Sequence, residues 1–216
     1  MPSHTINSHG PLDQRYLERI HQTIHHSVND YPRTLALRVD LRLPGDTQNM
    51  DPMEQDTPDH FADTDPSVIS RFMASLNAKI QADLSKKKNA GKRIYPCKVR
   101  YVWAREQNRE HKTHYHTLLL FNNDAYFTLG DYRDLNNVCM ATRIIHAWCS
   151  ALRVDPMEFA TLVHFPDNPL YYLNRNSSSE EFQQSFNELF YRASYLAKKK
   201  SKIYGTGFRN FGCSQH

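Results

Sequence analysis

Two histidines one residue apart, His114 and His116, run straight into Thr117, Leu118, Leu119, Leu120 and Phe121. That run has the composition of a buried strand. On a strand, residues i and i+2 share a face with their side chains roughly 7 Å apart. Two imidazoles held in this way can share one divalent cation. If the preceding strand forms a hairpin with this one, turning near Glu110, Glu106 falls opposite His114. Directly opposed residues hold their Cβ atoms ~4.5–5.5 Å apart. Two imidazoles and a carboxylate make a mixed N/O donor set with positions left for water and a phosphate oxygen. Asp40, on the polar side of a neighbouring strand, is an alternative third ligand.

A second reactive pair lies near the C-terminus. At 100° per residue, Phe182, Phe186, Leu189, Phe190, Ala193, Leu196 and Ala197 form one apolar stripe. Tyr191 and Tyr195 fall on the opposite side with Lys198 and Lys202. A phenol there can reach a phosphate held by the cation, and a lysine beside it can offset charge on the phenolate and on a phosphorane. His21 and His25 share helical spacing but read as a polar helix face, and His4, His9 and His26 carry no functional expectation.

Positioning these groups falls to a small set of elements. Residues 1–30, with Leu12, Tyr16, Ile20 and Ile24 at helical spacing, read as a helical extension outside the core fold, and residues 31–216 as the domain proper. Thr34–Leu43 alternates as a strand with one wet face. The acidic stretch 44–65 is aperiodic and reads as an inserted loop or lid. Asp65-Pro66 starts a helix that ends near Ser85. Ile94–Glu106 is a second strand, placed at a sheet edge by Pro96, and Thr113–Phe121 a third. Leu135–Leu152 is a second helix and Phe159–Phe165 a fourth strand. Ser177–Glu180 resembles a capping box for a third helix reaching about Lys200. The order β-α-β-β-α-β is that of the ferredoxin-like split βαβ fold, an α+β class. It places the third strand between the first and second, with both helices on one face and the other face free for a site.

Bulk properties narrow the classes. A hydrophobic fraction of 39% and an aromatic fraction of 12% exclude a disordered chain. Net charge is +4, yet acid concentrates in residues 44–66 and base in 86–105 and 198–209. Local basic patches on a weakly charged chain suit nucleic acid better than a membrane surface. Cys97, Cys139, Cys149 and Cys213 show no C-x-x-C or zinc spacing and read as reduced thiols of a cytoplasmic protein. There is no membrane-length apolar run, no signal peptide, no repeat and no Walker A motif.

His114-Tyr-His116 resembles the His-hydrophobic-His ("HUH") motif of rolling-circle replication initiators, and Tyr195-Leu-Ala-Lys198 resembles their Y-x-x-K motif. Trp103-Ala-Arg-Glu106, His114–Asn122, Ser194–Lys198 and Phe211-Gly-Cys-Ser214 together resemble the inovirus gene-two-product family of phage and prophage-like elements, also called YagK/YfjJ C-terminal. The resemblance covers residues 30–214. It implies a Mg²⁺- or Mn²⁺-dependent nickase and strand transferase acting on single-stranded or melted origin DNA in a bacterial cytoplasm. On this reading, His114 and His116 bind the metal, with Glu106 as the third ligand. Tyr195 is the nucleophile, supported by Lys198, and forms a 5′-phosphotyrosine with a free 3′-OH. Tyr191 is either a second nucleophile or a base-stacking residue. The first motif, at Leu35–Leu41, departs from the family's Thr-rich form. Candidate DNA-backbone contacts are Arg38, Lys98, Arg100, Lys199 and Lys202, with Tyr126, Phe127 and Tyr132 for base stacking. Unwinding and synthesis would fall to a helicase and polymerase of the host. The alternative is a non-catalytic DNA-binding replication-control or repressor protein on the same fold. A ferredoxin-like RNA-processing protein with histidine catalysis would cleave RNA without metal and leave no covalent adduct, and among metal-dependent relatives a single-tyrosine transposase is a further alternative.

Overall fold

The computed structural model describes residues 10–45, 62–108, 112–202, 204–205 and 207–215. His4, His9, the hairpin tip and most of the acidic 44–65 stretch lie outside them. Among the described residues a six-stranded antiparallel sheet is flanked by five helices: α1 (Gln14–Asp30), β1 (Arg33–Arg42), α2 (Val68–Asn89), β2 (Arg100–Gln107), β3 (Thr113–Asn122), α3 (Met140–Leu152), α4 (Pro156–Phe159), β4 (Val163–His164), β5 (Leu170–Asn174), α5 (Ser179–Ser194) and β6 (Phe211–Cys213). The strand order is β4-β1-β3-β2-β6, with β5 also on β1. β3 therefore lies between the first and second strands, as the order of elements predicts. No helix among the described residues is long and apolar enough to cross a membrane.

β1 alternates as expected. Leu35, Leu37, Val39 and Leu41 meet α2 and α3 in one core with Phe72, Tyr115, Phe121 and Trp148. Its other face is not wet. Ala36 and Arg38 are buried, because Leu17, Ile20 and Ile24 of α1 and Phe186, Leu189 and Phe190 of α5 form a second core against Ala36, Val102, Ala104, Leu118 and Leu120. The N-terminal helix is thus a packed layer and not an appendage. Its spacing carries a complete apolar stripe, and α5 supplies the partner that lets both cover the sheet. His21 and His25 lie in this seam, with ring centroids 5.3 and 4.8 Å from Phe186.

Several boundaries differ from the sequence pattern. α2 runs one turn past Ser85, and Gly91 in a left-handed conformation (φ +71°) follows it. Pro96 lies before β2, which is interior because β6 pairs with it through Trp103 and Gly212. Gly212 is required there: an added Cβ would stand 2.5 Å from the Trp103 ring. α3 begins at Met140, with Leu135 in the preceding loop. The fourth strand shrinks to Val163–His164, and β5 follows it unannounced. The α5 capping box is one residue later than expected, with Ser178 and Glu181 bonding reciprocally at 3.3 Å. Cys97, Cys139, Cys149 and Cys213 are free, and burial pushes the Cys97 thiol up to about 11.

Candidate active site

The β2–β3 hairpin has the expected register: Glu106 faces His114 and Ala104 faces His116. On its other side β3 sets His116 opposite Asp40 of β1. All four candidate side chains therefore share the sheet face that α1 and α5 cover. The ligand atoms of Glu106, His114 and His116 lie within 4.8 Å of one another. The two Nε2 atoms are 3.2 Å apart, and His116 Nε2 is 3.6 Å from Glu106 Oε2. Donors ~2.0–2.2 Å from one cation stand roughly 3.0–3.5 Å from each other. Two of these separations lie close to that range, so the three groups could share a single divalent ion. Two imidazoles and one carboxylate suit Mn²⁺ better than the harder Mg²⁺.

Asp40 stands behind His116 and not in the ligand set. Its Oδ1 is 2.6 Å from His116 Nδ1. Burial pushes the Asp40 carboxyl up, but the His116 bond and the neighbouring Arg38 and His164 outweigh it and hold it well below the usual aspartate range. An ionised Asp40 makes Nδ1 the donor and turns the Nε2 lone pair toward the cluster. Burial pushes the His114 imidazole down, as does His116 beside it, which favours the neutral form a ligand needs.

Glu106 is buried at the bottom of the cluster. Its Oε2 accepts from Ser201 Oγ at 2.8 Å and from Lys198 Nζ at 2.7 Å, and its Oε1 from Lys202 Nζ at 3.2 Å. Burial raises this carboxyl, while His116 and the two lysines bring it below its ordinary value.

The tyrosine arrives by a break in its helix. α5 stops at Ser194, a 3₁₀ turn covers Tyr195–Ala197, and Lys198 is extended. At this break the Tyr195 ring lies edge-on to His116, with centroids 5.1 Å apart. Lys198 Nζ donates to the Tyr195 phenol oxygen. Lys202 ties the turn shut, donating to the carbonyls of Leu196 (2.9 Å) and Lys198 (2.5 Å). A strap outside the turn completes it: Asp13 N–H donates to Ala197 O (2.8 Å) and Lys199 N–H to Pro11 O (3.0 Å). A cleft of about 450 Å³ lined by Glu106, His114, Tyr195, Lys198, Lys200 and Ser201 opens onto this centre.

Residues 1–214 match the model of the YagK/YfjJ C-terminal domain. The chain belongs to that family. It is 43% identical over 208 residues to the uncharacterized protein YagK of Escherichia coli (strain K12), covering 96% of each chain. It is 41% identical over 204 residues to the uncharacterized protein YfjJ of the same organism, covering 93% of each. No solved structure matches.

In this YagK/YfjJ chain the other expected site residues scatter. Tyr191 opens into a different cleft, with His164, Tyr171 and Arg192. Arg38 is buried and donates to Thr117 O at 2.6 Å. Lys202 is buried on Glu106. Arg100 pairs with Asp30 at 2.6 Å and sits about 20 Å along β2 from Glu106, with Lys98 just before the strand. Lys199 is exposed beside the cleft. Tyr126 is buried with its hydroxyl donating to Asp83 at 2.7 Å, Tyr132 packs on Phe165, and Phe127 is exposed. The roles of Ser201, Lys202 and the Pro11–Asp13 strap had no signal in spacing alone. They depend on where α5 breaks.

Proposed function

We propose that this protein is an HUH-type nickase and strand transferase on a ferredoxin-like split βαβ core, initiating rolling-circle replication of a phage or prophage-like element. The observation that carries this reading is Tyr195, a phenol set against the His116 imidazole and held by a lysine that also holds the Glu106 carboxylate. A structural tyrosine needs neither neighbour. His114, His116 and Glu106 would hold Mn²⁺ or Mg²⁺, with Asp40 fixing His116. When bound, that cation polarises the scissile phosphate and neutralises its charge, lowering the barrier by several kcal/mol.

The chain's own groups supply the rest. Tyr195 Oη gives up its proton to water and attacks phosphorus in line, the P–O3′ bond breaks, and the departing 3′ oxygen takes a proton back from water. The 5′ phosphate stays on Oη. One phosphodiester has replaced another, so the reverse joining needs no ATP. The Lys198 ammonium offsets charge on the phenolate, and buried Lys202 keeps Glu106 ionised. Exposed Lys199 and Lys200 at the cleft mouth contact the strand backbone. The substrate is single-stranded or melted origin DNA in a bacterial cytoplasm, opened by a separate helicase and extended by a polymerase.

Single strands tiled across the DNA around the protein's own gene provide the test. With Mn²⁺ one of them is cut at a unique position, and His114→Ala stops the cut while leaving the thermal melt intact. Cutting that survives both EDTA and His114→Ala would overturn the reading. Tight strand binding without any cut would favour the replication-control alternative.

A further inference from the structure

A second cleft, of about 650 Å³, opens beside the first and is lined by His164, Tyr171, Tyr191, Arg192, Asp167 and Glu188. It starts one side chain from the ligand cluster. His164 pairs with Asp40 across β4 and β1, and its Nδ1 is 3.7 Å from Asp40 Oδ2, while the other Asp40 oxygen holds His116. Tyr171 stands opposite Ala36 on β5. Tyr191 and Arg192 come from the last turn of α5, about one helical turn before Tyr195. The two tyrosines line different clefts. Tyr195 enters the cleft with the ligands and Lys198, whereas Tyr191 enters this one and stays 47% exposed.

The lining has a consistent chemistry. Three flat aromatic side chains present faces on which a nucleobase stacks. The guanidinium of Arg192 suits a phosphate oxygen or a base edge. Asp167 and Glu188 repel phosphate but accept hydrogen bonds from the exocyclic amine of cytosine, adenine or guanine. The volume falls within the roughly 300–1,000 Å³ of small-molecule sites. Lys198, Glu106 and His114 line the other cleft, with Tyr195, whereas the cation lining this one with Tyr191 is Arg192.

We infer that this cleft takes an unstacked, amine-bearing nucleobase of the strand next to the scissile phosphate, and that Tyr191 stacks on that base instead of acting as a second nucleophile. The inference rests on the nickase reading for its placement in the strand, but not for the existence of the pocket.

Two measurements test it. Nicking of a randomised single-strand library by the Mn²⁺-loaded protein, read by sequencing the cut ends, gives the base preference at each position around the nick. A preference for amine-bearing bases over thymine is expected at one adjacent position. Tyr191→Ala should flatten it by roughly tenfold or more, and Tyr191→Phe, which keeps the ring, should restore it. An unchanged profile in Tyr191→Ala, or a DNA adduct carried on Tyr191 in the Tyr195→Phe protein, overturns the inference. The second measurement needs no cutting. A short strand with 2-aminopurine walked through its positions is bound to the Tyr195→Phe protein, where stacking quenches the probe at one position and Tyr191→Ala abolishes the quenching. Quenching with that dependence in a protein that cuts nothing keeps the base pocket and removes the nickase. No quenching at any position overturns the pocket itself.

Discussion

Asp40→Asn separates a residue that orients a ligand from one that is a ligand. The substitution keeps the shape and an accepting oxygen for His116 Nδ1 but removes the negative charge 2.6 Å away. Loss of such a partner behind a metal-binding imidazole costs about 10–100-fold in affinity. That is roughly 1.4–2.7 kcal/mol. The same amount disappears from the stabilisation that Mn²⁺ gives the folded chain at a fixed concentration well above the dissociation constant. For a domain of this size, with ~2–4 °C per kcal/mol, the metal-induced rise in Tm should shrink by roughly 3–10 °C. The metal-free protein melts lower as well, because Arg38, 3.4 Å from the same oxygen, loses its only carboxylate among the described side chains. A charged hydrogen bond of this kind is worth about 1.5–3 kcal/mol. Titration calorimetry with Mn²⁺ and melts with and without it separate the two effects. Unchanged Mn²⁺ affinity would refute the orienting role, and loss as complete as in His116→Ala would make Asp40 a ligand.

Lys202→Met removes the donor to Glu106 Oε1 and to two carbonyls, while Lys198 and Ser201 still hold Oε2. Breaking a buried pair costs about 3–5 kcal/mol, and a melt within a degree of wild type would show that Lys202 does not tie the turn. Gly212→Ala drives a methyl into the Trp103 ring. A cost of about 1–3 kcal/mol and an altered tryptophan emission are expected, and an unchanged spectrum would contradict the β2–β6 packing. Asp83 binds Lys87, Arg143 and Tyr126 at 2.8, 2.6 and 2.7 Å. Burial raises its carboxyl, but these partners bring it below the ordinary value of 3.8. A depressed folded-state value means the stabilisation is present above pH 3.8 and is lost as the pH falls below it. Asp83→Asn should therefore lower the melt at neutral pH and flatten its decline in acid. An identical acid profile would count against this.

The Glu106–His114–His116 cluster was legible because strand arithmetic is local. A short hairpin fixes Glu106 against His114, and a period of two places His116 beside them. The first strand was legible for the same reason, but its polar face was misread as wet. Arg38 and Asp40 look solvent-facing until α1 and α5 are seen to cover them. Lys202 reads as part of a basic, exposed helix end, yet it is buried, because nothing in the apolar stripe marks the break at Ser194. The stripe continues through Leu196 and Ala197 on the 3₁₀ turn, so its period gives no stop signal. β4, β5 and β6 are too short for alternation to stand out, and β6 declares itself only through the Gly212–Trp103 contact.

The central claim is tested most directly by peptide mapping of the protein after incubation with Mn²⁺ and a strand it cuts. The account predicts a mass increase equal to the downstream DNA fragment on the peptide containing Tyr195, absent in Tyr195→Phe and in His116→Ala. Cut DNA with no adduct on that peptide, or an adduct that forms equally well without the metal, would contradict it.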